Sequence, residues 1–338
     1  NNFELATRVS YFLWSSMPDD ELSEQARGGS LQENREAQVL RMLADPRALA
    51  LTDHFAGQWL QLDKLRTAEP DPRLYPEFDD ALADDMRTET RMFLTAIIQE
   101  DRSVLDMVDT DFTFVNERLA RHYGLADVRG DAFRRVKLSG KRRGGLMQQA
   151  SILTLTSNPD RTSPVKRGKW LLENILGAPP AAPPPGVSEL DGQDLSSASL
   201  RERLERHRAD AHCAACHQKM DALGFAFENF DAIGRWRTQD GTGPIDASGV
   251  LPDGRAFDGA VELQALLRGE LKDDFLRCLT EKMLAYALGR EIEYYDEPAV
   301  VKILSSLEEN GYRFSTLVIG IIHSEPFRKR RGRRRIAG

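Results

Sequence analysis

Two of the chain's three cysteines and two of its six histidines fall within nine residues, His212 to Met220, reading HCAACHQKM. Cys213-Ala214-Ala215-Cys216-His217 has the Cys-x-x-Cys-His form of a c-type haem attachment segment. On a helix, residues three apart share a face, so both thiols can add to the vinyl groups of one porphyrin as thioethers. The next residue, His217, then offers its imidazole to the iron as proximal ligand. Alanines between the cysteines suit a helix and leave room beside the porphyrin edge. The same residues admit two other chemistries. Zinc could take Cys213 and Cys216 with His212 or His217 and a distant ligand such as Cys278. A redox dithiol would want a βαβ setting, which this sequence does not offer. Haem c, one group held covalently, is the reading adopted.

A sixth iron ligand is harder to assign. Met220 lies one helical turn beyond His217, on the same side, and His212 precedes the first thioether, so neither reaches the other face. Met283 is the distal candidate by position, although Phe275, Leu279, Met283 and Tyr286 form an apolar stripe in which methionine also serves as core. His323 and His122 rank below it, and an open sixth position is compatible with the sequence. Arg235, Trp236 and Arg237, in GRWR, could reach haem propionates. Arg161, Lys166 and Arg167 make a second basic cluster. Cys278 reads as a buried thiol. The aspartates between Asp240 and Asp253 form no twelve-residue loop closed by Glu, so turns are expected there rather than calcium. No nucleophile elbow, phosphate loop or dinucleotide fingerprint is present.

The elements that must position these residues read as mainly helical. DDALADDMRTETRMFLTAIIQED places Leu82, Met86, Phe93 and Ile97 on one stripe. Ser16 to Leu22 carries a helix start, with Pro18 and two acids opening the first turn. Thr110 to Leu125 reads as a helix ending at Gly124. Thr156 to Trp170 has no clean period, and WLLENILG reads as a short helix ending at Gly177. APPAAPPPG, from Ala178 to Gly186, holds five prolines in nine residues and reads as a stiff polyproline spacer. A helix leads into the cysteine motif, and Pro244 to Phe257 reads as a small hairpin around Pro-Asp-Gly. Helices close the chain. The expected domains are residues 1–157, helical; 158–186, a basic and Pro-rich linker with one short helix; 187–327, a smaller cytochrome-c-like helical domain with a minor β-hairpin; and 328–338, a basic tail.

At 338 residues, 41% hydrophobic and 29% charged, the chain has material for well-packed cores. Its net charge is −7, but RKRRGRRR, Arg328 to Arg335, carries seven positive charges, so the rest is −14. An acidic body argues against nucleic-acid binding. The longest aliphatic run, Leu317 to Ile322, is too short to span a bilayer. Three cysteines are too few for a disulfide framework. With no initiator Met and no apolar signal region, the sequence reads as a processed or excised piece.

Several stretches carry a resemblance. They include LATRVSYFLWSSMPDDEL, TFVNERLARHYGL, LTSNPDRTSPVKRGKWLLENILG, CAACHQKMDALGFAFENFDAIGRWR, IDASGVLPDG and EKMLAYALGREIEYYD. The chain resembles the secreted bacterial c-type cytochrome-like proteins built from domains of unknown function 1592, 1588 and 1585. The resemblance implies export to the periplasm or beyond, where haem c is attached, and further domains in the full-length chain. Only Cys213, Cys216 and His217 carry over as haem-binding positions, and no settled activity comes with the family. The expected function is electron transfer through one haem, with a redox partner protein or a small electron donor or acceptor. Two rivals stand beside it: a peroxidase- or oxidase-like oxidoreductase with an open iron position, and a binding scaffold with structural haem or zinc.

Overall fold

The computed structural model describes residues 1–138, 143–181, 200–207, 211–240 and 243–329, and for residues 206, 207 and 211–216 the backbone alone. Mainly helical architecture is what it contains. The first helices are α1 (Asn2–Trp14), α2 (Asp20–Gly28), α3 (Arg35–Ala44), α4 (Leu49–Leu51), α5 (Gly57–Leu60), α6 (Asp80–Gln99), α7 (Glu117–Tyr123) and α8 (Ala150–Leu155). There follow α9 (Pro164–Asn174), α10 (Leu200–His207), α11 (Ala211–Phe225), α12 (Gly259–Arg268), α13 (Lys272–Leu288), α14 (Glu297–Glu309), α15 (Phe314–His323) and α16 (Glu325–Arg328). Three antiparallel strand pairs complete it: β1 (Phe112–Val115) with β2 (Arg134–Lys137), β3 (Gln239–Asp240) with β4 (Gly243–Pro244), and β5 (Ser248–Val250) with β6 (Ala256–Asp258).

Local chemistry explains the boundaries. Asp19 caps α2 by accepting from the Leu22 amide, with Asp20 and Glu21 in the first turn. The stripe Leu82, Met86, Phe93 and Ile97 of α6 is buried throughout. Gly124 ends α7 at φ 68°, a left-handed conformation suited to glycine. The helix expected from Thr110 begins only at Glu117. Phe112–Val115, rich in aromatic and β-branched residues, pairs instead with Arg134–Lys137, and Asn116 caps the shortened helix. In the opposite sense, the helix around Trp170 starts early. Ser163 caps it through the Lys166 amide and Pro164 occupies its first turn. The predicted hairpin is β5–β6, pairing Val250 with Ala256, its turn passing through Gly254 at φ 87°.

The chain divides into two compact units. The first comprises Asn1–Trp59, Leu94–Met107 and Leu276–Gly338, the second Leu60–Phe93 and Val108–Phe275. In the first, α15 packs on α14 and α3, and α1 packs on α2. Phe12, Leu13, Met42, Leu317 and Ile321 are buried there. In the second, α9 lies against α11, and β5 lies against α11 too. No helix of the described residues is long and apolar enough to cross a membrane.

Candidate functional site

The Cys-x-x-Cys-His segment lies in α11, so positions 213 and 216 share a helical face and His217 follows directly. The side chains of His212, Cys213 and Cys216 lie outside the described residues. That of His217 is described, and it is only 17% exposed. Its Nδ1 stands 3.1 Å from Oδ1 of Asp221, one turn on, and Asp221 is fully buried. A carboxyl group on Nδ1 selects the tautomer in which that nitrogen donates and Nε2 is the metal-binding atom. Sequence reasoning passed over Asp221, although an acid four residues after a ligand histidine on a helix is a legible signal.

Backbone contact holds α11 in place. A Cβ added at Gly168 of α9 would fall 1.7 Å from the Met220 carbonyl oxygen. One added at Gly224 of α11 would fall 1.9 Å from that of Pro164. Only glycine permits this approach, so the two helices touch main chain to main chain. Gly249 of β5 is similarly confined, 2.7 Å from the Ala222 carbonyl oxygen and against the Phe257 ring if given a Cβ.

The turn after α11 is tied down by Arg167. This buried guanidinium donates to the carbonyls of Phe227 at 2.6 Å, Phe230 at 2.9 Å and Asp231 at 2.7 Å, and to Glu228 Oε1 at 3.2 Å. Glu228 also accepts from Thr162 at 2.7 Å and from Arg237 at 2.8 Å. Burial draws Arg167 down to about 10 and pushes Glu228 up, while the attraction between the two opposes both shifts. The basic residues read as propionate candidates are thus engaged within the protein. Arg235 pairs with Asp231 and Glu77, and Arg237 with Glu228 and Asp240. Arg161 pairs with Asp160, and Lys166 donates to the Ser157 carbonyl. The Trp236 ring stands edge-on to Phe230 at 5.3 Å.

The remaining candidate ligands occupy varied surroundings. His122 Nε2 meets the Ile233 carbonyl at 2.7 Å, and burial lowers its pKa. His323, in the first unit, lies 3.9 Å from Glu36, and burial lowers its pKa as well. Met283 and Cys278, on α13 in the first unit, are both buried. Met220 is buried on α11. Among the described residues no three His, Cys, Asp or Glu side chains form a metal-holding group. The thiols of Cys213 and Cys216 fall outside that description.

A second polar cluster of the same unit went unread in the sequence. Glu89, on α6, is wholly enclosed and accepts from Thr113 Oγ1 at 2.5 Å and from the Tyr123 hydroxyl. Tyr123 in turn accepts from the Ala150 amide at 2.9 Å. The Arg143 guanidinium lies over the Tyr123 ring at 3.7 Å. Burial pushes Glu89 up to about 7, against the two hydroxyl donors and Arg143. No sequence motif brings these four residues together.

Comparison with known families divides the chain into three. Residues 1–125, 143–240 and 253–327 match domain families described as Protein of unknown function (DUF1592), Protein of unknown function (DUF1588) and Protein of unknown function (DUF1585). The chain therefore carries these three domains in that order. No curated protein and no solved structure matches it.

Proposed function

We propose that this chain is a c-type haem protein that passes single electrons through one covalently attached haem, in the periplasm or outside the cell. Cys213 and Cys216 would hold the porphyrin as thioethers, and His217 would ligate its iron. When bound, the haem supplies a one-electron iron couple. The chain's own part is to bind and orient. Its α11 sets the spacing of the two cysteines, the glycine-tight contact with α9 fixes that helix, and Asp221 holds His217 through Nδ1.

The observation that carries the reading is the His217–Asp221 pair at 3.1 Å, directly after the cysteine spacing on one helix. A carboxyl group on Nδ1 is one of the orienting partners that metal-bound imidazoles use, and it raises the basicity of the ligating nitrogen. Zinc knuckles need four donors, and a dithiol needs no histidine held this way.

Expression with a haem c maturation system tests the proposal. The purified protein should be coloured, keep its pigment in acidified acetone, and lose it in the Cys213→Ser, Cys216→Ser double variant. The same optical and EPR spectra identify the sixth ligand. A thioether signature points to a methionine, and a high-spin signal that responds to peroxide points to an oxidoreductase instead. Matured protein that came back colourless and zinc-loaded would overturn the reading.

A further inference from the structure

A cleft of about 1160 Å³ opens in the first unit, lined by α1, the end of α13 and the turn before α14. Its walls are aromatic to an unusual degree. Tyr11 and Phe12 come from α1, Tyr286 from α13 and Tyr295 from the turn. Tyr11 and Tyr295 are exposed, as is Tyr294, whose ring meets that of Tyr295 edge-on at 5.3 Å. Every exposed tyrosine among the described residues is one of these three. Single exposed aromatics are ordinary, but a group of them at one concave site marks a binding surface.

The floor beneath is a packed aromatic cluster. Phe12 packs on Tyr286 at 6.2 Å and on Phe327 at 5.9 Å, and Tyr286 packs on Phe55 at 5.5 Å. The cleft is lined by three cations, Arg8, Arg290 and Lys329, and two carboxylates, Asp296 and Glu325, and Arg8 lies over the Phe327 ring at 4.6 Å. Arg290 forks onto Asp296 at 2.6 and 2.9 Å, and Lys329 reaches Glu325 at 2.8 Å. The charges of the lining nearly balance, so strong selection for a charged ligand is not built in. A purely apolar ligand would leave them facing hydrocarbon. A sugar chain meets both demands. Its C–H faces stack on tyrosine rings, while its hydroxyl edges find the planar Arg290–Asp296 fork and the other charged groups of the rim. The volume exceeds the roughly 300–1,000 Å³ usual for compact ligands, which favours several linked units over one.

We propose that this cleft binds an extended, uncharged oligosaccharide, with Tyr11 and Tyr295 as its stacking platforms. The proposal is independent of the haem reading.

Calorimetric titration of the full chain tests it, with neutral glucan, mannan, xylan and chitin oligosaccharides as probes. Acidic oligouronides and a proline-rich peptide complete the panel, since tyrosine-lined grooves also accept polyproline helices. At least one neutral oligosaccharide should bind, with a Kd that changes less than about twofold on adding salt. Tyr11→Ala and Tyr295→Ala should each weaken it about tenfold or more without lowering the melting temperature, and Leu74→Ala, exposed in the second unit, should leave it unchanged. Haem-loaded and haem-free protein should bind alike, which separates this result from the fate of the haem reading. Failure of every neutral probe at millimolar concentration overturns the proposal. So does binding of the oligouronide or the peptide alone, or a neutral affinity indifferent to both tyrosine substitutions.

Discussion

The Glu89 carboxyl lies where water does not reach, and its two hydroxyl donors only partly replace hydration. Its pKa is raised from the ordinary 4.5 to about 7. Between those values the folded chain holds a proton that the unfolded chain has released. Stability contributed by this group is therefore full below about 4.5 and is lost as the pH rises through about 7. Glu89→Gln removes the titration. Urea unfolding at pH 5 and pH 8 should show the parent losing roughly 2–3 kcal/mol more than the variant over that interval. Thr113, Tyr123 and Arg143 face the carboxyl in both proteins, so the difference reports Glu89 alone. A second residue-scale outcome concerns Asp221. Replacing it with Asn weakens the pull on the His217 Nδ1 proton, which makes the ligating nitrogen less basic. In haem-loaded protein the reduction potential of Asp221→Asn should lie above that of the parent, as measured by redox titration. An unchanged potential would remove Asp221 from the argument.

Among elements, the α9–α11 pair bears the site. Gly168→Ala puts a methyl group where the Met220 carbonyl oxygen stands, and the helices must separate. We expect a loss of about 3 kcal/mol or more by thermal or urea denaturation, with poorer haem retention in matured protein. A substitution at Gly57, where an added Cβ meets nothing within 4 Å, is the contrasting control. Periodicity and local punctuation made the long elements legible: the buried stripe of α6, a helix start within Ser16 to Leu22, the stop at Gly124 and the Pro-Asp-Gly hairpin follow from residue types a few positions apart, although Pro18 lies just before α2 and Asp19 caps it. Its largest failure has a tertiary cause. Phe112–Val115 became a strand because Arg134–Lys137 lies beside it, and no window around Phe112 contains that partner. The site divides the same way. The thiol spacing and His217 are local and could be read directly. Asp221 is local too, and was overlooked. The bonds from Arg167 to carbonyls about sixty positions away, and the gathering of Glu89, Thr113, Tyr123 and Arg143, arise only through tertiary contact.

At the scale of the whole molecule, the matched domain families and the compact units are cut differently. Residues 1–125 match one family, yet the first unit also needs Leu276 onward, where α14 and α15 supply its core. A fragment of residues 1–125 should accordingly stay poorly folded, with weak helical circular dichroism and collapsed amide dispersion. Adding the segment from residue 253 to 329 should recover structure. Independent folding of the short fragment would show that α1 to α7 suffice without the segment from Leu276.

That division has a temporal side. The ribosome delivers a chain from its amino end, so residues 60–93 and 108–275 of the second unit are made before the segment from Leu276 that the first unit needs. Residues 1–59 emerge well before their partners from Leu276 onward and must wait for them. Until then their apolar faces have no mate, and a nascent chain in that state is prone to sticking or needs a chaperone to shelter it.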